Sequence, residues 1–367
     1  MIETLQLRRF RNYDAREVVF SPGFNCLTGP NGQGKTNLLE AVYFLSLLRS
    51  FRTGDLNNLR QWNADAFFLR GTLLEGDGLR TTLSVSYGTE RRLKVDETPV
   101  YRASDFINHL LCVTFIPEDL SLIQGSPAQR RRFLNIAVSQ TDPPYLKHLQ
   151  AFQEALQSRN LMLRQPGKYT RSAISAFDAM LAREGAALEI ARREFAASLN
   201  GYLEEIAPSL LGEGHTLSIT YLSRLGALMQ EERLSPAELE RKFREGLERL
   251  LEHDMRQGST SIGPQRSDFT CCMDQVRMDN FSSQGECRIA SLALRLATLN
   301  RLRRMNGEEK LTILVDDVIG ELDRERRASF FQTLQNAGQI LFACTEIPNF
   351  PLPIDKTFSV MGGSIQG

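Results

Sequence analysis

The stretch Gly29-Pro30-Asn31-Gly32-Gln33-Gly34-Lys35-Thr36 decides how the rest of the chain is read. It fits the pattern G-x-x-x-x-G-K-[ST], and its flanks fit too. Phe24 to Thr28 predicts a short buried strand, and Lys35 to about Leu48 predicts a helix. The glycines let the backbone turn tightly, so that successive N–H groups converge on phosphate oxygens. Lys35 brings a cation to the terminal phosphates, Thr36 a hydroxyl to Mg²⁺, and the helix start its own partial positive charge. ATP and Mg²⁺ are the expected cofactors.

A phosphate loop of this kind needs a metal-holding carboxylate at the end of a buried strand. The run Leu311 to Val315, followed by Asp316-Asp317, supplies one. Asp316 is expected to hold Mg²⁺ together with Thr36. Asp317 is expected to position or deprotonate the attacking water, which makes Asp317 and Lys35 the candidate catalytic residues. An apolar run ending in two acids is a weak signal alone, because many strands end that way. It gains meaning beside the phosphate loop.

The two motifs lie far apart, and the sequence between them turns helical. From about Pro143 to Gly258 it is rich in Ala, Leu, Glu, Arg and Gln, with breaks expected at Gln165-Pro166-Gly167, near Pro208 to Gly214, and at Ser235-Pro236. Ser235 reads as an N-cap, with Pro236 at the first helical position and Glu238 completing a capping box. This spacing resembles the heads of the ATP-binding-cassette class. The fold class expected is α/β: a P-loop ATPase head, residues 1–140 with 259–367, carrying an inserted, mostly helical arm over 141–258. In that class a signature sequence precedes the acidic strand by one helix, and Phe281-Ser282-Ser283-Gln284-Gly285-Glu286 stands in that place. Ser283, Gln284, Gly285 and Glu286 would then offer hydroxyl, amide and helix dipole to a phosphate held by the other subunit. An ordinary capped helix start accounts for the same residues. Glu321-Leu322-Asp323 looks like the loop that lines the dimer interface in this class. Thr345, just after a strand near Gln339 to Cys344, stands where many such proteins have a switch histidine. Threonine can hydrogen-bond a γ-phosphate there but carries no charge.

Composition bounds the rest. The 367 residues suggest two domains, and 42% hydrophobic with 24% charged residues describes a folded globular chain. The 44 basic residues balance 44 acidic ones, which excludes a globally basic nucleic-acid coat protein but not local basic patches. No apolar run is long enough to span a membrane, and the N-terminal residues alternate like a strand, so a cytoplasmic protein with no membrane partner is expected. The six cysteines show no paired C-x-x-C spacing and read as reduced, mostly buried thiols. The four histidines are scattered without metal spacing. Trp62 follows a polar run; an interface residue is one reading, and a half-buried core tryptophan, the commoner case, is the expectation. Arg11 and Asn12 end the first strand beside the phosphate loop and are expected near the nucleotide.

Beyond these motifs the chain resembles the RecF family, related to the heads of SMC and Rad50 proteins. The resemblance is carried by Phe10-Arg11-Asn12-Tyr13, by Asn31 to Ala41, by Arg49-Ser50-Phe51-Arg52-Thr53 and by Phe115-Ile116-Pro117-Glu118-Asp119. Gly125-Ser126-Pro127 leading into Arg131-Arg132-Phe133-Leu134 and Ser158-Arg159-Asn160 extend it along the chain. It implies a protein that binds DNA in its ATP form, forms a homodimer head to head and hydrolyses ATP slowly. It also implies marking of single-strand gaps or duplex junctions, so that RecR and RecO help load RecA in recombinational repair and replication restart. The chain departs from the family pattern at Asn135, Gln265, Ser267 and Glu286, departures that bear on signature-side contacts, regulation and turnover. Arg130-Arg131-Arg132, Arg301 with Arg303-Arg304, and Arg324 with Arg326-Arg327 are the densest basic clusters. A phosphate contact by any of them would appear as salt-dependent affinity, though helix faces are often basic without touching DNA. Two other classes remain open from sequence: an SMC-like scaffold head that uses ATP only to hold two chains together, and a P-loop kinase. The interrupted arm counts against the first, and the signature and interface loop against the second.

Overall fold

The computed structural model describes residues 1–165, 167–225, 234–307, 310–318, 320, 322–335, 337–347 and 353–367. Glu321 of the expected interface loop lies outside the described residues. The chain divides into two compact units: Met1–Leu120 with Ile206–Gly214 and Arg288–Gly367, and Ser121–Glu205 with His215–Cys287.

The first unit is built on two six-stranded sheets. One is antiparallel throughout, formed by β1 (Ile2–Phe10), β2 (Tyr13–Val19), β4 (Phe67–Leu74), β5 (Arg80–Tyr87), β6 (Arg91–Val95) and β7 (Thr98–Val100) in the order β2-β1-β4-β5-β6-β7. Phe67–Leu74 shows why: every second residue is buried, as a strand with one covered face requires. Gly76-Asp77-Gly78 makes the turn between β4 and β5, with Gly78 N–H donating to Glu75 O at 3.0 Å. The other sheet is parallel at its centre. It contains β3 (Phe24–Thr28), β8 (Leu111–Phe115), β12 (Leu311–Asp316), β13 (Gln339–Cys344), β14 (Lys356–Met361) and β15 (Ser364–Gln366), in the order β15-β14-β3-β13-β12-β8. All six residues of β12 are buried, the mark of a strand covered on both faces. Helix α1 (Lys35–Leu47) packs against β12 and β13 of this sheet and against β1 and β4 of the other, so it is apolar almost all round. Gln339, fully buried, bridges the two sheets. Its amide donates to Ile2 O (2.8 Å) and accepts from Ile2 N–H (3.0 Å), leaving no unpaired end.

The second unit contains α2 (Pro127–Thr141), α3 (Pro143–Leu163), α4 (Asp178–Leu211, whose last six residues belong to the first unit), α5 (Pro236–Arg249) and α6 (Leu251–Gln257). The capping box expected at Ser235 and Glu238 is present at the start of α5. The unit is wider than the 141–258 segment marked by composition, and it is not purely helical. A small antiparallel sheet, β11 (Val276–Arg277), β10 (Asp268–Met273) and β9 (Leu217–Leu222), completes it. The break expected near Pro208 to Gly214 is present: α4 carries Pro208 in its last turn, where only one helical N–H is lost, and ends before Gly212 at φ +104°. Arg159, with no exposed surface, clamps this unit through Asp178 (2.9 Å), Asp254 (2.8 Å) and the Thr260 hydroxyl (2.8 Å).

Among the described residues no helix is long and apolar enough to cross a membrane, and all six cysteines are free thiols. Trp62 departs from expectation. It is 90% exposed, because it sits at the corner of a turn rather than on a sheet face.

Candidate nucleotide site

The parallel strands β3, β8, β12 and β13 all point the same way, so their C-terminal ends meet at one edge of the sheet. The loops that leave those ends enclose a cavity of about 400 Å³. The phosphate loop follows β3, Asp316 and Asp317 close β12, Cys344 ends β13 and Thr345 follows it, and Pro117-Glu118 follow β8. The structure therefore brings Lys35, Thr36, Asp316, Asp317 and Thr345 to one place from positions up to 310 residues apart in sequence (345 minus 35).

Two of the loop's three glycines are there for space. Gly29 has φ +143°, and a Cβ would lie 2.3 Å from Val360 O. Gly34 has φ +120°, and a Cβ would lie 2.6 Å from Asn12 Nδ2 and 2.9 Å from the Tyr13 hydroxyl. Those two neighbours fix the loop. Asn12 Nδ2 donates to Gln33 O (2.9 Å) and the Tyr13 hydroxyl to Gly34 O (2.9 Å). From the other side Gly362 N–H donates to Gln33 Oε1 (2.7 Å). Gly34 is the N-cap of α1 and no side chain caps that end, so the first-turn N–H groups remain for an anion in the cavity. Lys35 Nζ donates to Gly29 O (2.6 Å) and Pro30 O (2.9 Å), which holds the ammonium over the loop; Asn31 and Gly32 complete its lining.

Asp316 is 8% exposed. Burial pushes its carboxyl up, a hydrogen bond from the Thr36 hydroxyl pulls it back, and the nearby charges of Asp317 and Glu118 push it up again. A carboxylate and a hydroxyl side by side, amid surplus negative charge, are the hard oxygen donors that suit Mg²⁺. Among the described residues no cluster of three or more His, Cys, Asp or Glu could cage a metal by itself. Asp317 lines the same cavity at φ +50°, a left-handed conformation that costs a residue with a Cβ about 1 kcal/mol.

Sequence reading missed six residues of this cavity: Asn37, Arg52, Pro117, Glu118, Ala343 and Cys344. Glu118 had a signal, since it is the first acid after the apolar run Leu110 to Ile116. Arg52 Nη1 donates to Asn37 Oδ1 (2.9 Å), and Asn37 Nδ2 to Asn12 Oδ1 (2.8 Å), a relay that braces the helix start. Arg11 and Asn12 stand beside the loop and line a neighbouring cavity. The Arg11 guanidinium is committed to buried Glu40 through both carboxylate oxygens, at 2.7 and 2.9 Å.

Comparison with known proteins agrees with this architecture. The family model described as RecF/RecN/SMC N terminal domain matches residues 1–350. The DNA replication and repair protein RecF of Chlamydia caviae is 37% identical over 361 residues, covering 98% of this chain and 96% of the relative. That of Latilactobacillus sakei is 32% identical over 372 residues, covering 99% and 98%. The chain belongs to the RecF family. A solved structure of the recombination mediator protein RecF with ATP, in the RecFOR pathway, superposes with TM-score 0.89 at 28% identity, covering 100% of this chain and 96% of the other. The Smc head domain of Pyrococcus furiosus shares the fold, with TM-score 0.54 at 14% identity, covering 100% and 95%. The fold is thus that of an ATP-binding-cassette-type head.

Within the RecF pattern, three of the four departures lie in the second unit away from the signature, Ser267 buried and Asn135 and Gln265 half-buried. Asn135 Oδ1 accepts from Arg192 Nη2 (2.7 Å) and the Tyr145 hydroxyl (2.7 Å). The Ser267 hydroxyl donates to buried Glu189, and Gln265 Nε2 donates to Ile262 O (2.8 Å). Their immediate role is hydrogen bonding within that unit. Glu286 is different. Ser283 N-caps α7 (Gln284–Asn306), and Glu286 Oε2 accepts from the Ser283 N–H (2.7 Å) and hydroxyl (2.9 Å). Glu286 N–H donates back to Ser283 Oγ at 3.3 Å. These bonds hold the Glu286 carboxyl below its ordinary range. Gln284 and Gly285 are exposed.

Asp323 N-caps α8 (Arg324–Leu334), accepting from Arg326 N–H at 2.9 Å, and Leu322 is buried. The basic clusters are partly spent inside the chain. Arg130 pairs with Asp268 (2.7 Å), Arg131 donates to Ser267 O (3.2 Å), and Arg327 donates to Leu322 O (3.1 Å). Arg304 and Arg324 are exposed.

Proposed function

We propose that this chain is an ATP-gated DNA-binding protein of recombinational repair and replication restart, acting in the cytoplasm. One observation carries the reading: Lys35, Thr36, Asp316 and Asp317 line a single cavity in a chain of the RecF family. The loop N–H groups and Lys35 bind the β- and γ-phosphates. Thr36 and Asp316 hold Mg²⁺, which when bound offsets the charge that develops on the transferred phosphoryl group. Asp317 orients the attacking water and accepts its proton. Thr345 hydrogen-bonds the γ-phosphate. Hydrolysis is slow and serves as a switch rather than as metabolism.

The switch is a homodimer formed on ATP. Ser283, Gln284, Gly285 and Glu286 of one copy meet the ATP of the other, with Glu321, Leu322 and Asp323 at the interface. The dimer binds gapped or junction DNA and works with RecO and RecR in loading the recombinase. The chain's zero net charge supports DNA binding that depends on dimerisation, since two partial basic surfaces then become one. The test is ATP hydrolysis with and without gapped DNA, together with sedimentation with and without ATP. A DNA-stimulated ATPase that dimerises on ATP is expected. ATP-dependent dimers with neither DNA binding nor DNA stimulation would establish a scaffold head instead.

A further inference from the structure

A second cavity, of about 1110 Å³, adjoins the phosphate loop and shares Asn37 and Arg52 with the first. One side of it is the end of β1. Arg11 N–H donates to Leu59 O (2.8 Å), Arg11 Nη1 to Asn58 O (2.8 Å), and Gln61 N–H to Arg9 O (2.8 Å). The segment from Asn58 to Gln61 is therefore fastened to the same strand end that fastens the phosphate loop through Asn12 and Tyr13. The next residue is Trp62. It stands in a turn closed by Ala64 N–H donating to Gln61 O (3.0 Å), lines this cavity, and keeps 90% of its surface in solvent. A large apolar ring held in water on a fastened turn contributes little to the core; its area is available for a ligand.

The chemistry around the ring narrows the ligand. The described lining contains side-chain amides, arginines and one indole, and no acidic residue. Amide edges beside an aromatic face are what a nucleobase uses: hydrogen bonds at its edge and stacking on its plane. Position points the same way. In a phosphate loop the terminal phosphates lie at the lysine, and the α-phosphate lies toward the helix start. Asn37 follows Thr36 and belongs to both cavities, so a nucleotide leaving the loop on that side enters the second one.

The geometry points to Trp62 as the stacking partner of the base of the nucleotide held by Gly29–Thr36, with the amides of Asn58 and Asn63 at the base edge. This inference rests on the nucleotide reading above and assigns the base-contacting residue within it. Trp62 is the chain's single tryptophan, so its emission reports on this site alone. The full-length protein is titrated with Mg-ATP and with Mg-tripolyphosphate, which has the phosphates and no base, while calorimetry and tryptophan emission are followed. ATP should quench the emission in step with binding heat, and tripolyphosphate should bind without quenching. Trp62→Ala should weaken ATP about tenfold and leave tripolyphosphate unchanged, with Trp62→Phe in between. Because the side chain is exposed, neither variant should disturb folding. ATP heat with silent emission, or a Trp62→Ala protein that binds ATP as tightly as the wild type, overturns the assignment alone. Heat from neither compound overturns the nucleotide reading and this inference with it. Quenching by DNA in the absence of nucleotide, with ATP silent, overturns it in favour of a nucleic-acid contact.

Discussion

Two helix starts in this chain carry small, polar loop residues, and they are finished differently. At Gly34 no side chain caps α1, and the loop's hydrogen bonds run to Asn12, Tyr13 and Gly362 behind it. At Ser283 the chain caps itself, because Glu286 takes both the amide and the hydroxyl of the serine. The first start is a cradle prepared for an anion. The second already holds one, its own carboxylate, and a phosphate there must displace it. The same motif logic, glycine and serine opening a helix, thus leaves the N-terminus open in one place and occupied in the other.

The largest expected effect breaks the cradle. Lys35→Met removes the cation and should weaken ATP roughly a hundredfold or more, the worth of a lost charged hydrogen bond. ATP-dependent dimerisation and DNA binding should go with it. A folded Lys35→Met protein, checked by circular dichroism, with normal DNA affinity would sink the gating idea. Next comes Asp317→Asn, which keeps size and the neighbouring Asp316 but removes the base. Hydrolysis should fall about a hundredfold or more, while ATP-dependent dimers persist in sedimentation and stay longer on DNA. Ser283→Arg should also lose hydrolysis, but for the other reason: ATP still binds each copy's own loop, and sedimentation with ATP and Mg²⁺ shows monomers. A dimeric Ser283→Arg or a monomeric Asp317→Asn would overturn the assignment of one residue to the neighbour's ATP and the other to its own.

A smaller effect sharpens the comparison. Glu286→Gln keeps a capping side chain and removes the charge that competes with phosphate. ATP-dependent dimers should tighten by roughly fivefold, the scale of one exposed charge interaction; an unchanged dimer constant would mean the cap does not compete. The smallest effect is on stability. The folded-state pKa of Glu286 is lowered, so its contribution is present above the unfolded carboxylate pKa and is lost as pH falls through the folded one. The melting temperature of the wild type should therefore exceed that of Glu286→Gln at neutral pH, and the gap should close in acid. A gap that does not change with pH would assign the difference to something other than this carboxylate.

The nucleotide cradle was legible because its chemistry fixes residue type and spacing together. Phe24–Thr28 and Gln339–Cys344 form strands with the expected bounds, each set off by turn residues or by an abrupt change of pattern. Leu111–Phe115 was not read as a strand. It continues from Leu110 without punctuation, and a short apolar run fits helix or strand equally. Leu217–Leu222 was hidden by its neighbours, since helical composition on both sides outweighed six residues of alternation. Arg52 reaches the cavity only through the meeting of separate segments, which no local pattern encodes. Trp62 shows the opposite limit: residue type argued for burial, and a two-residue turn overrode it.

The place of β3 in its sheet has a consequence for how the protein is made. Its neighbours are β13 and β14, with Phe24 opposite Ile340 and Asn25 opposite Lys356. At the usual pace of translation, about 5–20 residues per second, roughly 15 to 65 s separate the synthesis of β3 from that of the strands that flank it. During that interval the loop sequence exists without the sheet that shapes it, and an apolar strand has both edges unpaired on the ribosome. A product truncated before Gln339 would carry the whole Gly29–Thr36 motif and no formed phosphate site, so ATP binding reports completion of the chain's last strands rather than presence of its first motif.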